Sequence, residues 1–193
     1  MNKLMNSLKW FRVIPFSLVV LMGLISALFT FCPSVLLRGY YPLQYEEEIA
    51  DSSSRHSVDP FLIAAVISCE SSWDNQAESS TGAFGLMQLM PQTAADVAAM
   101  GLVDTSKYPL DDLANPATNI EYGCAYLRYL LDYFSGNTNR AIAAYNAGMG
   151  NVDVWVGQGG VLHNSITYPE TQAYLVLVNN AHVRYQELYG DRF

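Results

Sequence analysis

Cysteine, histidine and positive charge are all scarce in this chain of 193 residues. Three cysteines, Cys32, Cys69 and Cys124, are too few for a disulfide framework. A single Cys69 to Cys124 bridge is open to a chain outside the cell, but two small buried thiols in helices are the preferred state. The three histidines, His56, His163 and His182, are scattered among surface-like neighbours, and no His or Asp/Asn arrangement points to Cys69 as a nucleophile. Ten Lys and Arg stand against 18 Asp and Glu, so the chain lacks the basic surface that nucleic acid requires. Alternating strand patterns are nearly absent. So are internal repeats, low-complexity runs, a phosphate loop, a dinucleotide fingerprint and metal-ligand spacings. Neither a metal nor a cofactor is expected.

What is present begins with a long apolar run. Lys3, Lys9 and Arg12 precede Val13 to Phe31, which carries no charge. That length crosses the hydrocarbon core as a helix, and the basic flank places residues 1–12 in the cytoplasm. A cleaved signal has a shorter apolar core and a small-x-small site; neither is clear here, so 13–31 is read as an uncleaved anchor, with cleavage as the alternative. Phe31 is bulky where a lipoprotein signal has a small residue before its cysteine, which disfavours lipidation of Cys32. Residues 32–43 read as a linker. Roughly 160 residues beyond the span are enough for one domain with a sizeable core. They hold all 18 acidic residues and seven of the ten basic ones.

The domain, 44–193, is punctuated as an all-α fold. Asp59-Pro60 and Asn115-Pro116 are cap-then-proline starts, and Pro91 and Pro169 open two further helices. Gly101, Gly136 and Gly190 fall where helices stop. The pattern predicts helices near 44–54, 60–72, 91–100, 116–134, 138–146 and 169–189, with short turns between 151 and 158. Two Gly-rich segments, 80–90 and 147–160, read as loops that display binding groups.

Glu70 stands out because it ends an otherwise apolar helical run from Phe61 to Cys69, with Ile63, Val66 and Ile67 on its own face. Apolar surroundings and the negative end of a helix dipole both favour its protonated form. A carboxylic acid held neutral near pH 7 is suited to general-acid chemistry. On position alone, Glu70 equally marks the point where the helix surfaces.

Four segments settle the choice: Glu70-Ser71-Ser72-Trp73, Gly82-Ala83-Phe84-Gly85-Leu86-Met87-Gln88-Leu89-Met90-Pro91, Ala144-Tyr145-Asn146-Ala147-Gly148, and Tyr168-Pro169-Glu170-Thr171-Gln172-Ala173-Tyr174. In this order they resemble the lytic transglycosylases of the soluble, lysozyme-like kind, over roughly residues 45 to 190. The resemblance implies a lysozyme-like helical domain with a substrate groove, which the apolar run over 13–31 would hold on the outer side of the membrane. It implies peptidoglycan glycan strands as partner and cleavage of the bond between N-acetylmuramic acid and N-acetylglucosamine.

By the same resemblance, Glu70 is the general acid and later the base in ring closure. No Asp or Glu lies between Ser79 and Ala95, and Asp74, Glu78 and Asp96 have the neighbours of solvated charges. The family dispenses with a second carboxylate: the substrate's acetamido oxygen steadies the anomeric centre and its 6-hydroxyl attacks, leaving a 1,6-anhydro end. Ser71 bonds the carboxyl or a sugar, or is a helix C-terminal hydroxyl. Gln88 offers an amide to N-acetyl and hydroxyl groups. Met87 lines an acetyl pocket or packs, and Gly82 and Gly85 let backbone approach the sugar. Tyr145 and Asn146 end a helix at the groove, Asn146 alternatively as a cap. Glu170 and Tyr174, four apart, share a helical face turned to the groove. Tyr126, Tyr129 and Tyr133 are assigned to the core. Met149 stands where the family commonly has proline, which leaves that loop's shape open. The competing readings are a lysozyme-like hydrolase and a catalytically weak wall-binding accessory of an envelope machine.

Overall fold

The computed structural model describes residues 15–27, 30, 33–157 and 162–193. The chain divides into two compact units between Pro42 and Leu43. The first contains a helix over 15–27 (α1) and a second, α2 (Pro33–Tyr40). No helix among the described residues is long and apolar enough to cross a membrane. The span expected over 13–31 includes residues 13, 14, 28, 29 and 31, which lie outside the described residues, as do the basic segment 1–12 and Cys32.

The second unit is helical because its start signals are local and strong. It comprises α3 (Glu46–His56), α4 (Pro60–Ser71), α5 (Pro91–Ala99), α6 (Pro116–Tyr133), α7 (Thr138–Ala147), α8 (Met149–Gly157), α9 (Leu162–Ser165) and α10 (Pro169–Tyr189), with a 3-10 turn at Leu110–Asp112. Asp59 accepts from the Phe61 N–H at 2.9 Å and Asn115 from the Ala117 N–H at 3.0 Å, each ahead of a proline that needs no such partner. Asn137 caps α7 in the same way. The stretch from Leu62 to Ile67 in α4 is buried on every side, packed against α10 and α3. A helix enclosed all round is held by its neighbours, not by an amphipathic stripe.

Three expectations are corrected here. Pro33–Tyr40, within the segment read as a linker, forms the helix α2. The Gly-rich segment 147–160 is not a loop: its described part is helical from Met149 to Gly157, and 158–160 lie outside the described residues. Val152 and Trp155, three apart, are both buried, and the Trp155 indole N–H donates to Thr167 at 3.1 Å. Tertiary burial outweighs the low helix propensity of the glycines. The histidines differ too. His56 is a largely buried partner of Glu121, at 2.9 Å, and His182 bonds Asp59 at 2.7 Å, tying α10 to the start of α4.

Glu121 lies in the middle of α6 with its side chain only 2% exposed. Ser52, Arg55 and His56 on α3 all bond its carboxylate. Burial alone would raise its pKa, but these donors outweigh burial and lower it. The cluster joins α3 to α6 through a charge that the interior accepts only because it is paired.

Candidate active site

The carboxyl of Glu70 sits at the C-terminal end of α4, partly buried, above the fully buried Ile63, Val66 and Ile67. From across the interface, Tyr174 on α10 donates its phenol to Glu70 Oε1 at 2.6 Å. Burial pushes the Glu70 pKa up to about 7; the Tyr174 hydrogen bond pulls it down and the like charge of Glu170 raises it. The Tyr174 phenol is itself pushed well above 10 by burial and by the Glu70 charge, so it remains a donor. Burial and Glu70 also raise Cys69 to about 11, which leaves a neutral thiol. Cys69 and Cys124 are both free.

The chain leaves α4 through two consecutive left-handed residues, Ser72 (φ 52°) and Trp73 (φ 71°). Such a pair is costly without glycine and persists where surroundings hold it. Here the Trp73 ring is buried, its N–H donates to Tyr185 at 3.0 Å, and Tyr45 stacks on it at 6.5 Å.

The segment 84–89 closes on itself through reciprocal backbone bonds between Phe84 and Leu89, both 3.0 Å. Its seat is α6. The Asn119 side chain accepts from the Met87 N–H at 2.8 Å and donates to the carbonyls of Phe84 and Leu113 at 3.0 and 3.1 Å. Gly85, at φ +78°, passes so close that a Cβ there would lie 2.3 Å from Asn119 Nδ2. One turn along α6, a Cβ on Gly123 would lie 2.3 Å from Met87 Sδ. Glycine is needed at both places so that loop and helix can touch.

This seating decides several roles. Met87 is fully buried, with its side chain packed against Gly123 of α6. Its carbonyl accepts from Tyr145 at 2.8 Å. Gln88 donates its amide nitrogen to the carbonyls of Ala77 and Gly85 at 2.9 and 3.0 Å. Both amide hydrogens are thereby engaged and Oε1 is the group left to offer, an acceptor where the sequence suggested donor and acceptor alike. The Ser71 hydroxyl donates to Ile67 O and accepts from the Trp73 N–H, so it serves its own helix end and bonds no carboxyl.

Gln88, Tyr145 and Asn146 line one cavity of about 230 Å³, together with Leu89, Met90 and Tyr126. Tyr126 meets Tyr145 at 5.5 Å and faces this cavity, while Tyr133 is half exposed and bonds Asp153 at 2.7 Å. Both correct the assignment to the core, which treated helix periodicity as burial. Glu170, Asp74, Glu78 and Asp96 are all exposed. Among the described residues no group of His, Cys, Asp and Glu could hold a metal ion. Asn119, Gly123 and Thr171 carry much of the geometry and were not singled out from sequence. An Asn inside a buried helical stripe is the same kind of signal that Glu70 gave.

The family model for the transglycosylase SLT domain matches residues 47–165. The chain belongs to that family. The soluble lytic murein transglycosylase of Escherichia coli strain K12 is 34% identical over 160 residues, which cover 79% of this chain and 24% of that protein. The membrane-bound lytic murein transglycosylase C of Histophilus somni strain 2336 is 37% identical over 158 residues, covering 75% and 41%. The crystal structure of the 70 kDa soluble lytic transglycosylase of Escherichia coli superposes with a TM-score of 0.73 at 31% identity, covering 81% of this chain and 26% of that one. The SLT domain here thus spans less than half the length of these relatives. Its helical fold superposes on the matching part of that crystal structure.

One property of the SLT domain's carboxyl is testable without substrate. The Tyr174 phenol stabilises the ionised form of Glu70, so Tyr174→Phe is expected to raise the Glu70 pKa above that of the wild type. Carboxyl-carbon NMR titration reads it directly. An unchanged or lower value would show that the phenol does not act on this group.

Proposed function

We propose that this chain is a peptidoglycan lytic transglycosylase in which Glu70 is the single protein acid and base. Protonated Glu70 gives its proton to the oxygen joining N-acetylmuramic acid to N-acetylglucosamine, and that C–O bond breaks. The positive charge at the anomeric carbon is steadied by the substrate's acetamido oxygen. The Glu70 carboxylate then takes the proton of the muramyl 6-hydroxyl as that oxygen closes on the anomeric carbon, leaving a 1,6-anhydro end and restoring the acid. One observation carries the reading: a carboxyl with a pKa of about 7, so both forms are populated near neutrality, with a phenol bonded to it. Exposure of Asp74, Glu78 and Asp96 supports a mechanism without a second catalytic carboxylate. The relatives' names supply the wall as substrate, and a related 70 kDa lytic transglycosylase, 33% identical over 80% of this chain, was solved with bulgecin A.

Gln88, Tyr145, Asn146, Glu170 and Tyr174 form the substrate side of this proposal. Gln88 Oε1 and Asn146 face the glycan, Tyr145 and the Met87 carbonyl brace the groove, and Tyr174 orients Glu70. The proposal extends to residues 13–31 as a signal anchor that holds the catalytic unit on the wall side; Lys3, Lys9 and Arg12 support that orientation.

Mass spectrometry of products from purified wall tests the chemistry. The expected ends are 1,6-anhydro-muramic acid, one water lighter than hydrated reducing ends. Mainly hydrated ends would make the protein a lysozyme-like hydrolase. For the anchor, protease added to intact wall-stripped cells is expected to leave a small membrane-bound stub. A mature protein released into the medium and starting beyond residue 31 would show cleavage instead.

A further inference from the structure

Asn146 ends α7 with its side chain at the cavity that Gln88 and Tyr145 line. Its amide oxygen accepts from the Thr171 hydroxyl at 2.7 Å. Thr171 lies in the first turn of α10, one residue after Glu170, and is 2% exposed. A side-chain amide has two faces, and a half-turn about its last bond exchanges donor for acceptor. With the oxygen capped from the protein side, the nitrogen is the group presented outward.

We infer that Thr171 is a positioning residue: its hydroxyl, donating to the Asn146 oxygen, holds that side chain with its amide nitrogen turned toward an acceptor oxygen of the bound glycan. The inference rests on the proposed glycan-cleaving function and adds a residue that does not itself reach the substrate. Gln88 is locked in the opposite sense, since two backbone carbonyls hold its nitrogen and leave its oxygen free. The groove therefore offers a fixed donor on α7 and a fixed acceptor on the loop before α5. Without the Thr171 hydroxyl, the Asn146 amide is free to turn and present an oxygen to the substrate's oxygen, which repels it. The loss is one of binding, because the Asn146 contact is separate from the Tyr174 to Glu70 hydrogen bond that serves the proton transfer and is the same in ground state and transition state.

Thr171→Val removes the hydroxyl and keeps the shape; Thr171→Ser keeps the hydroxyl. Kd for a β-1,4-linked N-acetylglucosamine hexamer, KM and kcat on purified glycan strands, and melting temperature are measured for both. Thr171→Val is expected to raise Kd and KM about fivefold with kcat within about twofold, as loss of one neutral hydrogen bond does. Thr171→Ser is expected to recover most of that loss. Asn146→Asp, which has no donor, is expected to weaken binding similarly, and the double variant Thr171→Val with Asn146→Asp no further. Wild-type Kd and KM in Thr171→Val, a Ser variant no better than the Val variant, or additive effects would each overturn the inference. A wild-type chain that neither binds the hexamer nor cleaves wall would instead overturn the functional proposal.

Discussion

Glu70→Gln is expected to lower wall cleavage by about 10² to 10⁴ while the fold is retained. The amide is nearly isosteric and still accepts from Tyr174 through its oxygen, but it cannot deliver a proton to the leaving oxygen. The same substitution has a signature in stability. The folded-state pKa of Glu70, about 7, lies above its ordinary value of 4.5. The folded protein therefore holds this proton more tightly than the unfolded chain, and stability is lost as pH rises from about 4.5 through about 7. Glutamine carries no such loss. The variant is thus expected to be more stable than wild type above pH 7, by ~3 to 4 kcal/mol at most, and equal to it below pH 4.5. Turnover on purified wall together with melting curves at pH 4 and pH 8 checks both parts. A folded variant that clears wall at the wild-type rate would remove Glu70 from the chemistry. A melting difference independent of pH would mean that its carboxyl is not held in the neutral form.

Asn119→Ala is expected to be the most damaging substitution away from Glu70. It leaves the buried Met87 N–H without its partner and removes one donor each from the Leu113 carbonyl and from the Phe84 carbonyl, which keeps the Leu89 N–H, in a site where Asn119 is 1% exposed. The unsatisfied buried N–H costs ~1 to 3 kcal/mol, and with the two lost hydrogen bonds the sum is ~3 kcal/mol. That lowers the melting temperature by roughly 6 to 12 °C in a domain of this size. Activity falls as well, because the same segment presents Gln88 and receives the Tyr145 hydrogen bond. Gly85→Ala attacks the contact from the other side: it needs φ +78° and places a methyl 2.3 Å from Asn119 Nδ2. With Asn119 truncated that clash disappears, so the double variant is expected to be less damaged than the sum of the two. Thermal unfolding of the four proteins decides it. Strict additivity would show that loop and helix do not meet in this way.

Six helices, α3 to α7 and α10, were legible in the sequence to within a residue or two at most of their ends, because signals such as Asp59-Pro60, Asn115-Pro116, Pro91 and Pro169 act on their own few residues of backbone; α9 was not foreseen. The helix at Met149–Gly157 was not either, since local propensity opposes it and only burial of Val152 and Trp155 supports it. The residues that meet at the groove were legible as separate motifs. Glu70 and Tyr174 lie 104 residues apart, and no spacing rule connects them; their pairing at 2.6 Å comes from the packing of α10 on α4.

What the sequence by itself determined is the set of local choices: where helices start, that an ionisable group ends an apolar run, and which four segments recur in a known order. These depend on capping, backbone sterics and side-chain type, all properties of neighbours along the chain. What only the tertiary structure decided is which polar atoms remain available. Gln88 became an acceptor because Ala77 and Gly85 hold its nitrogen, Met87 became packing because Gly123 makes room for it, and Asn146 became a donor because Thr171 caps its oxygen. A side chain's chemistry at a site is what its partners leave unused, and those partners are brought together by folding.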